Sequence, residues 1–242
     1  MPTPTAEDYL KRILLLAKRT EKGRRSGWVA LGALAEAVSV VPGTVTAMVK
    51  RLHSERLVEY ERYGGVRLTA AGSAAAIQVL RRHRIIETFL AECLRLDWAQ
   101  VHDEAERLEH AVSDEVLARL EAFLDYPTVD PHGDPIPRAD GTIAGSPETR
   151  LSESTAGDHL RIVRVVDQTP DFLNAIDGRR LRPGATLEVV TCDRAAGMMD
   201  VRIGTTRQSI SLSLAERLVV EPGKATSRSR ATKPARSSPR KA

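Results

Sequence analysis

Apolar side chains recur at helical spacing at Tyr9, Leu10, Ile13, Leu14 and Ala17, which predicts a helix over Ala6–Lys18. The run Lys22-Gly23-Arg24-Arg25-Ser26-Gly27 breaks it. A short helix is expected at Leu31–Ala37, a turn at Val38–Pro42 and a further helix at Gly43–Arg56, with Val45, Met48, Val49 and Leu52 as its buried stripe. The pattern then changes to alternation in Leu57–Glu61 and Val66–Thr69 around Arg62-Tyr63-Gly64-Gly65, the signature of a β-hairpin. Two helices, a tight turn and a hairpin in this order form a winged helix-turn-helix.

Helical patterning resumes after Thr69, a residue suited to capping, and runs to about Leu94. Further helices are expected over Gln100–Glu109 and Asp114–Leu124. Proline and glycine crowd the next stretch, Asp125 through Pro147, where regular helix is forbidden and a domain boundary is expected. From Leu160 the texture is that of short strands, at Leu160–Val166, Thr186–Thr191, Asp200–Ile203 and Ser209–Leu212, with Pro183-Gly184 as a turn. A small β-barrel accounts for them. The expected division is 1–72 for DNA binding, 73–140 for a helical domain, 141–159 as linker, 160–222 as barrel and 223–242 as a disordered basic tail. The fold class is mainly α with β.

Composition sharpens this less than it first suggests. The formal charge is +4, but residues 223–242 hold seven Lys and Arg and no acid, and subtracting them leaves −3. The basic pI belongs to the tail, so the case for DNA rests on the motif. No apolar run reaches the roughly 18 residues of a membrane span, and no leader pattern opens the chain. A cytoplasmic protein without a membrane partner is expected. Cys93 and Cys192 match no zinc or redox spacing and are read as reduced thiols.

Two groups of residues carry chemistry. On the second helix of the helix-turn-helix, Thr44, Thr46, Ala47, Lys50 and Arg51 can face the major groove of double-stranded DNA. Lys50, Arg51 and the wing's Arg62 suit phosphates. The other group is His102-Asp103-Glu104-Ala105-Glu106-Arg107-Leu108-Glu109-His110, in which Glu106, Glu109 and His110 share one helix face. His83 and Glu87 do the same, at i and i+4, on the preceding helix. Two helices presenting carboxylate and imidazole can enclose a divalent ion; alternatively they are solvated charged faces. An enzyme fits poorly. His-Glu-x-x-His is absent, and so are the Gly-x-Ser-x-Gly elbow and the phosphate-cradling glycine loop.

The chain resembles the diphtheria toxin repressor and manganese transport regulator family of metal-dependent transcriptional repressors. The resemblance runs through Glu7-Asp8-Tyr9-Leu10, Arg82-His83-Arg84 with Glu87, and Val101-His102-Asp103-Glu104-Ala105-Glu106 with Glu109-His110. It continues in Ser113-Asp114-Glu115 and Asp130-Pro131-His132-Gly133-Asp134-Pro135-Ile136-Pro137. It implies a homodimer formed through the helical domain, an SH3-like C-terminal domain and a palindromic operator. A primary metal site is implied at Asp8, Glu106, Glu109 and His110. A second is implied at His83, Glu87 and His102, completed near Gln168 or Asp171. Oxygen ligands at Asp8 and Glu106, where the iron-sensing branch has methionine and cysteine, imply Mn²⁺ as co-repressor, with Fe²⁺ as the alternative and up to two ions per subunit. Lys11 stands where the manganese branch has a glutamate. A lysine cannot bridge two cations, which argues against a closely coupled pair of ions. A winged-helix regulator sensing a small organic ligand is the competing reading.

Overall fold

The computed structural model describes residues 2–20, 27–145 and 147–223. All but Gly27 of the helix break expected at Lys22–Gly27, and all but the first residue of the basic tail, lie outside these. Helix α1 spans Pro4–Thr20, slightly longer than its apolar stripe predicts, and buries Ala6, Tyr9, Leu10 and Ile13. Helices α2 (Leu31–Ala37) and α3 (Pro42–Ser54) follow. Pro42 opens α3 at a position where its missing N–H costs nothing. Val45, Val49 and Leu52 pack into a core shared with α1, while Met48 is only half-buried.

Strands β1 (Val58–Glu61) and β2 (Gly65–Leu68) pair antiparallel, with Val58 opposite Leu68 and Glu61 opposite Gly65. Val66 also bridges Val29, tying the wing back to the segment before α2. That contact requires Gly65: its φ is +106°, and a Cβ there would lie 2.4 Å from the Val29 carbonyl oxygen.

Helix α4 (Ala70–Glu92) starts at Thr69, whose hydroxyl accepts the Gly72 N–H at 3.1 Å. It packs on α1, α5 (Val101–Leu108) and α6 (Asp114–Phe123). It therefore joins the DNA-binding unit to the helical domain. Ser113 caps α6 through the Val116 N–H.

The last part is a five-stranded antiparallel sheet, β3 (His159–Val165), β4 (Thr186–Asp193), β5 (Met198–Ile203), β6 (Thr206–Ser211) and β7 (Leu218–Pro222), in the order β6-β5-β4-β3-β7. Irregularities at Ile162–Arg164 and Val189–Thr191 bend it into a small SH3-like barrel. Three elements add to the sequence reading. Helix α7 (Pro170–Asp177) sends Phe172, Leu173 and Ile176 into the core; α8 (Leu212–Ala215) is a single turn; and β7 closes one side. The core also takes in Leu151, from a 3-10 turn ahead of the first strand, and Trp98 and Ala99 from the helical domain.

The proline-rich segment is ordered. Val129 bridges Pro135, and the loop between them is pressed against β3. Gly133, at φ +87°, approaches so closely that a Cβ would stand 1.9 Å from the Val163 carbonyl oxygen. His132 stacks on Trp98 at 5.4 Å, with Arg182 of the barrel 4.8 Å from the same indole. Helical domain and barrel are thus clamped together through this loop.

Candidate metal centre and DNA-facing helix

One buried polar network joins α1, α4 and α5. Helix α1 presents Glu7, Asp8 and Lys11 away from its apolar stripe. At the end of α5, His110 meets both acids: Nδ1 lies 2.8 Å from Glu7 Oε2, and Nε2 lies 2.8 Å from Asp8 Oδ1. Glu109, fully buried, faces the other way, 2.6 Å from His83 Nδ1 on α4. His83 Nε2 lies 2.9 Å from Glu87 Oε1, and His102 Nδ1 is 3.0 Å from that same oxygen. The two rings meet edge to face at 4.7 Å.

These groups sort into sets whose donor atoms lie within 4.8 Å of one another. One is Asp8, Glu109 and His110; a second is His83, His102 and Glu106. All seven residues expected to bind metal are therefore gathered in one region. The grouping differs from the expected one in two members: Glu87 falls into a third set, with Asp130 and His132, and Glu106 stands with the two histidines and not with Asp8. For Glu106 the cause is Lys11, whose ammonium donates to Glu106 Oε1 at 2.9 Å and to Glu109 Oε1 at 2.5 Å. Arg12 adds a contact to Glu106 at 3.1 Å.

The third set, Glu87, Asp130 and His132, is buried throughout. It was not singled out as a ligand set from sequence, because Asp130 and His132 lie in the proline- and glycine-rich stretch read as a domain boundary. His132 donates from Nε2 to the Trp98 carbonyl at 3.0 Å, and among the described residues its buried Nδ1 has no partner. A cavity of about 60 Å³ opens between these sets, with Glu87, His102, Glu106, Asp130 and Gln168 on its wall. Gln168 reaches it from the barrel and donates to Asp134 at 2.8 Å. Asp171, the other C-terminal candidate, is exposed on α7 and does not line this cavity.

Electrostatics follow from this packing. Burial alone would depress the His83 pKa, but Glu87 and Glu109 outweigh it and hold the imidazole up at about 9. Burial opposes charge on Glu87 and on Glu106 as well. At Glu87 the charge of His83 and hydrogen bonds from His102 and His83 win, at Glu106 the charges of Lys11 and His83 do, and both acids are held below their usual range. Asp8 is raised by burial, which exceeds the effect of His110. Asp130 is raised strongly, by burial and by Asp134 and Glu87 nearby. Burial lowers His132, which favours the neutral imidazole a metal requires. Carboxylates and imidazoles converging at these distances make a donor set suited to a borderline divalent ion.

The DNA-facing candidates lie elsewhere. Thr44, Ala47, Lys50 and Arg51 are exposed along α3, and Arg62 is exposed at the wing tip, stacked over Tyr63. Thr46 is half-buried, and its hydroxyl donates to the Pro42 carbonyl at 2.9 Å. Arg51 is ion-paired with Glu55 on its own helix at 2.9 Å.

Comparison with known proteins fits this arrangement. Residues 1–66 match the iron dependent repressor N-terminal DNA binding domain. Residues 69–138 match the iron dependent repressor metal binding and dimerisation domain, and 149–222 match the FeoA domain. An uncharacterized HTH-type transcriptional regulator of Methanocaldococcus jannaschii is 40% identical over 119 residues, 49% of this chain and 91% of that one. The chain belongs to the iron-dependent repressor family. The family's members are metal-dependent, DNA-binding transcription regulators and not enzymes, as the sequence motifs indicated. The Corynebacterium jeikeium diphtheria toxin repressor is 33% identical over 160 residues, 66% of this chain and 64% of that protein. Among solved structures, a manganese-dependent transcriptional repressor in complex with manganese superposes with a TM-score of 0.78 at 36% identity, covering 90% of this chain and 99% of that one. The expected architecture, a winged helix-turn-helix, helical dimerisation domain and SH3-like barrel, is borne out. Among the described residues, no single helix is long and apolar enough to cross a membrane.

Three participants escaped the sequence reading. Glu7 was quoted as part of a motif without a role, yet it holds His110. Lys11 was read as a departure from a pattern, and its burial between two acids gave no local signal. The Glu87–Asp130–His132 set depends on folding the proline-rich loop back onto α4.

Proposed function

We propose that this iron-dependent repressor family member uses Mn²⁺ as co-repressor, with Fe²⁺ as the alternative, to control binding to a palindromic operator. Asp8, Glu109 and His110 would hold one ion, and His83, His102 and Glu106, backed by Glu87, a second. The observation that carries this reading is the placement of Asp8. It projects from α1, whose opposite face packs into the helix-turn-helix core through Leu10 and Ile13, while its partners His110 and Glu109 belong to the helical domain. A bound divalent ion would supply the positive charge on which acids from both sides converge. Hard oxygen donors at Asp8 and Glu106 suit Mn²⁺, and the manganese-complexed repressor noted above is consistent with it.

The residues divide the work. Asp8 and Glu7 draw α1 toward α5; His110 must shed a proton to act as ligand; buried Glu109 links the two ligand sets through His83. Fixing α1 fixes α3, and thus the spacing of recognition helices across a dimer, which must match about one DNA turn. Metal acts by favouring that arrangement over others already accessible. At the DNA, Thr44, Thr46 and Ala47 would face bases, and Lys50, Arg51 and Arg62 phosphates.

Selected operator DNA, titrated with protein at matched free Mn²⁺, Fe²⁺, Zn²⁺ and without metal, tests this reading. Binding should be strongest with Mn²⁺ or Fe²⁺ and lost without metal. Calorimetry showing no stoichiometric uptake of any of these ions would favour a regulator that senses an organic ligand.

A further inference from the structure

Helix α3 begins at a residue that stabilises no helix end. Val41 is its N-cap, a position where Ser, Thr, Asp or Asn accepts a backbone N–H, and a branched hydrocarbon cannot. Val41 is also 68% exposed, and Val40 before it is 36% exposed. Gly43, in the first helical turn, weakens the helix further, although a Cβ there would meet nothing within 4 Å among the described residues. Packing within the protein therefore accounts for neither Val41 nor Gly43. Departures from local rules with no gain in packing are expected where a sequence serves function.

Val41, Thr44 and Ala47 are spaced three apart and exposed along α3. Side chains near the N-terminus of a recognition helix reach base edges in the major groove. The first two turns, Pro42–Val49, hold no Arg, Lys, Asn or Gln, the residues that pair bidentately with guanine or adenine. The Thr46 hydroxyl is committed to the Pro42 carbonyl, and Arg51 in the next turn to Glu55. Thr44 contributes a hydroxyl, and Val41 and Ala47 contribute hydrocarbon. An apolar side chain in that groove distinguishes one feature, the C5-methyl group of thymine. We propose that Val41, with Ala47 further along the same face, reads thymine methyl groups in each half of the operator. Methyl contacts, and not bidentate hydrogen bonds, then set the sequence choice of α3, and Gly43 leaves the base pairs room to approach. This rests on the operator-binding reading above.

The test uses the full-length dimer loaded with Mn²⁺ and an operator selected from random duplexes. Uracil replaces thymine at one position at a time, which removes the methyl and leaves the hydrogen-bonding edges unchanged. At a contacted thymine, affinity should fall about fourfold for each methyl lost, the worth of one buried methyl-sized group. Val41→Ser supplies a capping hydroxyl, so it should melt no lower than wild type. It should bind the thymine operator more weakly, and uracil at the thymine Val41 contacts should then change nothing. A selected half-site without thymine overturns the proposal. Uracil tolerated at every position does so too, as does a Val41→Ser protein with the same uracil sensitivity at every position as wild type. Metal-dependent operator binding survives each of these results. If the loaded protein selects no operator at all, the operator-binding reading fails and the proposal falls with it.

Discussion

His110 Nε2 lies 2.8 Å from Asp8 Oδ1, a contact that spans 102 positions of sequence and joins the DNA-binding unit to the helical domain. Glu7 grips the other nitrogen of the same ring. With no metal bound, a protonated His110 can satisfy both acids: burial opposes its charge, but Glu7 and Asp8 raise its pKa. A metal at Asp8 and Glu109 would take the place of that proton, keeping the link and adding directional bonds.

Replacing Asp8 or Glu106 with alanine should abolish metal-stimulated operator binding while leaving most of the fold intact, since both are only partly buried. Anisotropy titrations with and without Mn²⁺, beside circular dichroism, check this.

Glu109→Ala is expected to act differently. It leaves Lys11 and His83, both buried, without a shared acid, and removing one partner from a buried pair costs about 3–5 kcal/mol. Thermal melts of metal-free protein should show a large loss for Glu109→Ala and a small one for Asp8→Ala. Equal losses would mean the buried network contributes little.

The raised His83 pKa gives a pH signature. In the folded, metal-free state the ring holds its proton to about pH 9, against an ordinary value of 6.5. A raised folded value means its stabilising contribution is fully present below pH 6.5 and is lost as pH climbs through 9. Because a metal needs the neutral ring, Mn²⁺ binding between those limits should release protons and strengthen with pH. Calorimetry in buffers of different ionisation enthalpy measures that release, and His83→Gln should diminish it.

Trp98 and Gly133 hold the barrel against the helical domain. Trp98→Ala removes the surface shared by His132, Arg182 and the barrel core, and a buried tryptophan lost this way costs about 3–5 kcal/mol. Gly133→Ala would drive a methyl into the Val163 carbonyl. Limited proteolysis near residue 145 should accelerate in both variants, with the helix-turn-helix unaffected.

How far the sequence was readable depended on how local each signal was. Helices α1 to α6 and the wing followed from periodicity, and Thr69 caps as its position suggests, while the Ser113 cap was not singled out. Helix α7 was not among the expected elements, although Phe172, Leu173 and Ile176 have helical spacing, because the eight-residue run is too short for its periodicity to stand out among the strands around it. Strand β7 was missed because Leu218-Val219-Val220 is a short apolar run without alternation. Glu106, Glu109 and His110, and His83 with Glu87, were visible as sets on single helices, whereas Asp8 and His102 came only with the family resemblance. The regrouping of these ligands around Lys11 was not visible, because it depends on α1 lying against α5, a contact no local pattern encodes.

Metal-stripped protein and its selected operator, titrated with and without Mn²⁺ for wild type and Asp8→Ala together, test the central claim most directly. Coupling of the usual size gives wild type a gain of about 5- to 150-fold with Mn²⁺, and Asp8→Ala should gain nothing. Operator binding by stripped wild type as tight as that of the loaded protein would contradict the account.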